Sequence, residues 1–148
     1  MQQKSGPKAL TDYILNLSKD KEGKSQLKLI VQGILAGAYI AIGAIGYFKL
    51  AATIADPGLA AFFGALVFPM GIIAILQLQT ELFTSGCLII TSFYAGNTRL
   101  YKILKILAIV LLGNLMGAVF ISVLTNTSGI FDEKIMGLVF EKALLKIH

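Results

Sequence analysis

Cysteine, histidine and charge are all scarce in this chain. A single cysteine, Cys87, excludes an intramolecular disulfide and reads as a small packed residue in apolar sequence. The one histidine, His148, leaves no Cys/His cluster of metal-ligating spacing. No glycine-rich phosphate loop follows a strand pattern, and no nucleophile–base pair is visible, so neither a cofactor nor an enzymatic activity is expected. The opening, Met1 to Gln26, is not a secretory signal, because no apolar run directly follows its first charges. Only 14% of residues are charged, against about a quarter in a soluble domain.

What is present is apolar. Hydrophobic residues make up 56% of the 148, and the mean hydropathy is +0.79. The charges crowd into the first 28 residues, Arg99–Lys105 and the last 17 residues, leaving apolar blocks of about 20 residues, long enough to cross a bilayer as helices. The expected architecture is all-α and polytopic. A basic segment spans 1–28, a three-span region 29–124, and a loop with a short surface helix, or the first turns of a fourth helix, 125–148. The spans are Leu29–Phe48, Leu59–Tyr94 and Ile106–Leu124. Gly33/Gly37 and Gly113/Gly117 are GxxxG pairs that let helix backbones approach.

Lysine and arginine alternate with the spans. They are frequent before Leu29 and in Arg99, Lys102 and Lys105, and sparse after spans one and three, which places the N-terminus in the cytoplasm. The net charge of +5 is accounted for by anionic lipid headgroups and needs no nucleic acid.

The second span carries the informative anomaly. A continuous helix from Leu59 to Tyr94 would be about 54 Å long, beyond a hydrocarbon core of about 30 Å. Its polar stretch, Gln77 to Gly86, therefore marks a break. Broken backbone within a membrane must be buried in protein or line a water-filled cavity. Gln79, Thr80, Glu81, Thr84 and Ser85 supply hydrogen-bonding groups there. Glu81 is expected to be a strut capping freed backbone amides, not a substrate contact, since a bare carboxylate repels anions. Broken helices at the midplane present backbone dipoles to small ions, so the residues point to a channel or transporter subunit.

"ELFTSGCL", Glu81 to Leu88, resembles the second-helix motif of the formate/nitrite transporter family: an acidic residue, Leu-Phe-Thr, then glycine or serine. "FPMG" (Phe68–Gly71), "GILAGAYIAIG", "GNLMGAVF" and "ALLKIH" follow the family's order, and the resemblance covers Leu27 to His148. It implies the first half of an aquaporin-like channel of six helices in two inverted repeats, assembled as a homopentamer in a bacterial inner membrane. Each protomer would conduct small monovalent anions such as formate, nitrite or hydrosulfide. By position, Phe68 and Ile72 would line the path, Leu82 and Phe83 would form a constriction, and Thr84 would offer a hydroxyl. Lys146 would favour anions, with Gln79 and Glu81 structural at the break. Gln79-Thr80 departs from the usual Gly-Ala. His148 falls too early to be the family's central pore histidine, so the chain reads as an N-terminal half needing a C-terminal one. The competing readings are a non-conducting three-span subunit or interaction module, and an antiparallel dual-topology pair, which the charge asymmetry opposes.

Overall fold

The computed structural model describes residues 6–145 and 147. Those residues are helical, with no strand among them. Three helices are long and apolar enough to cross a membrane: Gln26–Thr53, Pro57–Gln77 and Leu100–Thr127. The first and third contain the spans expected from sequence and extend past them; the second covers the expected span only up to its polar break.

The first 28 residues are not a plain basic tail. Helix α1 (Pro7–Gly23) starts on a proline suited to a first turn, and its buried residues Ile14, Ser18 and Lys21 fall at i, i+4, i+7, forming one stripe. Helix α2 (Gln26–Thr53) begins at Ser25, whose hydroxyl accepts from Lys28 N–H at 3.2 Å. Asp56 caps α3 (Pro57–Val67) by accepting from Leu59 N–H at 2.8 Å. Pro69 interrupts this span and opens α4 (Pro69–Gln77). After the expected break come α5 (Phe83–Gly86), one 3-10 turn (Cys87–Ile89) and α6 (Ile90–Tyr94). Helix α7 (Leu100–Thr127) is the third span. Asp132 caps α8 (Glu133–Leu144), with Glu133 in its first turn where a negative charge suits the helix dipole.

Helix α2 is the centre of the bundle. Along it α7 runs parallel: Gly33 meets Val110 and Gly113, Gly37 meets Asn114, and Gly117 meets Ile34 and Ala38. A Cβ on Gly33 would come within 3.0 Å of the Val110 carbonyl oxygen, so the two GxxxG pairs do set this approach. On its other side the α3–α4 span runs antiparallel. Tyr47 lies against Gly64, Phe68 against Gly43, and Tyr39 against Gly71. The order up, down, up follows from the short Asp56 and Asn97 turns. A compact core of Leu29, Ile89, Ile103, Ile106 and Val110 joins α2, the 3-10 turn and α7. Most other large apolar side chains of the spans face outward, as lipid-facing residues do.

Candidate functional site: the break in the second span

The helix ends at Gln77, and the chain does not return to helix until Phe83. Four residues elsewhere in the chain hold the intervening segment. Gln79 takes a left-handed conformation, φ 49°. Glycine adopts this freely, whereas a glutamine pays about 1–2 kcal/mol for it. That is the conformational cost of placing a glutamine at this position. The Gln32 side chain on α2 restrains this residue, donating through Nε2 to the Gln79 carbonyl at 3.0 Å. The Gln32 carbonyl also accepts from Glu81 N–H at 3.3 Å.

Asn114, near the middle of α7, is the hub. Its Oδ1 accepts from Phe83 N–H at 2.9 Å, and its Nδ2 donates to the carbonyls of Glu81 and Gly33, each at 2.9 Å. The amide orientation follows from chemistry, because only an oxygen can accept the Phe83 proton. One side chain thus satisfies a donor and an acceptor freed by the break and ties both to α2. Such polar cross-links between membrane helices are worth about 0.6–2 kcal/mol each.

Glu81 has a different task from the one expected. Among the described residues its carboxylate caps no backbone amide. It receives Lys21 Nζ at 2.6 Å and Lys24 Nζ at 2.6 Å, so α1 is clamped onto the break by a two-lysine, one-carboxylate cluster. Lys21 is 3% exposed and Glu81 4%. The break faces Gln32, the seventh residue of α2, and Asn114, near the middle of α7. The ionisable group lies within reach of α1.

The residues expected along the path fall in two groups. Phe68 and Ile72 sit one turn apart at the α3–α4 junction, Phe68 half-buried and Ile72 exposed. Leu82, Phe83 and Thr84 follow one another at the break. Leu82 is half-buried and extended, Phe83 packs against the α2–α7 core, and Thr84 is exposed. Lys146 and His148 lie outside the described residues. Asn114 and Gln32 were visible in sequence as the strongly polar side chains of otherwise apolar spans, a signal that warrants a role by default. Nothing in the sequence paired Lys21 and Lys24 with Glu81, 57 or more residues away. No group of three or more His, Cys, Asp or Glu positioned for a metal occurs among the described residues.

Comparison with known proteins agrees with this architecture. Residues 8–148 match the sequence model of the formate/nitrite transporter family. The chain is 34% identical over 125 residues to the formate channel FocA of Haemophilus influenzae, covering 83% of this chain and 44% of that protein. It is 28% identical over 125 residues to a formate-nitrite transporter of Plasmodium falciparum, covering 78% and 40%, and 27% identical over 126 residues to one of Plasmodium ovale, covering 78% and 40%. It thus spans less than half the length of these curated relatives. No solved structure matched. With the family match covering nearly all of the sequence, and with the motif of the broken second span in place, the chain belongs to the formate/nitrite transporter family.

Proposed function

We propose that this chain forms one wall of a membrane pathway for small monovalent anions, formate, nitrite or hydrosulfide. Its pore lies within each protomer of a homopentamer and is completed by a C-terminal half. The observation that carries the reading is the break at Leu78–Leu82, held open by Asn114 and Gln32 inside an apolar bundle. The helical run that resumes at Phe83 continues to Tyr94 and starts at this point, so its N-terminal dipole faces the break. Family membership and the relatives' names support an anion as the passenger.

An anion entering such a site loses water at a cost of several kcal/mol. In this reading Leu82 and Phe83 exclude hydrated ions, while Thr84 and the dipole replace part of the lost hydration. Glu81 does not oppose the passenger. Two ammonium groups meet its single carboxylate, leaving the cluster at +1. Transport, not bond chemistry, is the task these groups can perform.

Proteoliposomes containing the chain together with its C-terminal half provide the test. Leu82→Val removes a methylene without adding polarity, so flux should rise and discrimination against larger anions should weaken. Thr84→Ala removes one hydroxyl, worth about 0.5–1.5 kcal/mol, so flux should fall about two- to tenfold with size selectivity retained. Wild-type flux in both variants, normalised to folded oligomer, would place the pathway elsewhere.

The orientation completes the proposal, with the N-terminus facing the cytoplasm of a bacterial inner membrane. Lysines of α1 and of the start of α7 gather at one end of the bundle, the pattern of a cytoplasmic face. In a Cys87→Ser background, a cysteine placed by Ser5→Cys should resist an impermeant thiol reagent in intact cells and react after lysis. Rapid labelling in intact cells would invert the topology.

A further inference from the structure

At the end of the bundle where α1, α2 and α7 converge there is an open cleft of about 260 Å³. Its lining is divided by chemistry. Lys102 and Lys105 stand on α7 at the mouth, and Ile106 and Ile109 continue the same helix face inward, joined by Leu29 of α2. The spacing 102, 105, 106, 109 is one helical stripe about 10 Å long, charged at one end and apolar at the other.

The ammonium groups differ in their commitments. Lys21 and Lys24 are engaged by Glu81. Lys102 has a loose contact with Glu22 at 3.7 Å, half open to water, and Lys105 has no ion-pair partner among the described residues. Two exposed positive charges three residues apart thus share a helix face with an apolar floor of Tyr101 and Ile109. An inorganic anion would use only the mouth. A neutral lipid would use only the floor.

We infer that this cleft is a binding site for an anionic phospholipid. Its phosphate is held between Lys102 and Lys105, and an acyl chain lies along exposed Tyr101 and half-buried Ile109. The place suits the ligand, because the stripe begins where a membrane-crossing helix leaves its basic connection, at the level of lipid headgroups. The site is separate from the anion pathway and does not depend on that reading.

The test uses the purified chain in neutral detergent, with bound lipid counted by native mass spectrometry. Dioleoylphosphatidylglycerol should bind at least tenfold more tightly than dioleoylphosphatidylcholine. Lys102→Gln combined with Lys105→Gln should weaken phosphatidylglycerol about thirtyfold, at roughly 1 kcal/mol per lysine. Lys134→Gln with Lys142→Gln, in the cleft at the other end of α2, should leave its affinity unchanged. Glycerol-3-phosphate and inorganic phosphate should bind far more weakly than the lipid. Equal affinity for the two lipids, or no loss in the Lys102/Lys105 variant, would overturn the proposal. Binding of free phosphate or glycerol-3-phosphate as tight as that of phosphatidylglycerol would also overturn it, in favour of a soluble anion.

Discussion

Glu81→Ala should destabilise the folded chain by about 3–5 kcal/mol, the cost of leaving a buried charge without its partner. The penalty falls on Lys21. Its side chain is almost fully enclosed, whereas that of Lys24 is 22% exposed and can turn toward water. Removing the carboxylate leaves two ammonium groups close together, one of them unable to escape, so α1 should detach from the break. Lys21→Met should cost less, because Glu81 keeps Lys24 and the methionine fills the same space. Combining Lys21→Met with Glu81→Gln should recover much of the loss, since a buried ion pair replaced by groups of similar volume is often neutral. Unfolding in mixed detergent, followed for the single and double variants, gives the coupling directly. Hydrogen exchange along Pro7–Gly23 should rise in Glu81→Ala. A loss below about 1 kcal/mol, with α1 still protected, would mean that Lys21 reaches water and that the clamp is incidental.

The functional consequence separates structure from selectivity. If Glu81 acts only by clamping α1, Glu81→Gln lowers stability or assembly while surviving channels keep their anion preference. A changed preference at normal assembly would make Glu81 part of the pathway instead.

The three spans, their order and the existence of the break were legible because each rests on local quantities: the length of an apolar run, the charge at its ends, and the geometric limit on a helix that must fit a bilayer. The GxxxG pairs were legible in kind, and the structure adds their register, Gly33 to Gly113 and Gly37 to Asn114. What escaped was long-range. The Lys21–Glu81 pair joins a surface helix to the second span, and counting lysines for topology gave no hint that two of them turn inward. Position along span two says nothing about which level of α2 it faces, and it faces Gln32, near the α2 start. From sequence, Glu81 reads as the capping strut because it is the ionisable residue at the break. Capping needs a group lying across from the break, and Asn114 on α7 occupies that place.

Asn114 therefore carries the second large effect. Asn114→Leu leaves the Phe83 N–H and the Glu81 carbonyl without their partners in a water-poor interior. At about 1–3 kcal/mol for each such group, the loss should be about 2–6 kcal/mol. Asn114→Asp is the sharper variant. It is nearly isosteric and retains an oxygen for Phe83 N–H at the 2.9 Å position. Its second oxygen, however, faces the Glu81 and Gly33 carbonyls, where Nδ2 donates in the native chain. An ionised carboxylate there meets two acceptors, and a protonated one can serve only one of them. Asn114→Asp should thus be at least as destabilising as Asn114→Leu despite preserving shape, with both variants losing folded yield and flux. If Asn114→Asp unfolds like the wild type while Asn114→Leu does not, volume and not hydrogen bonding is what Asn114 contributes, and the break is held by Gln32 and the Lys21–Glu81 clamp alone.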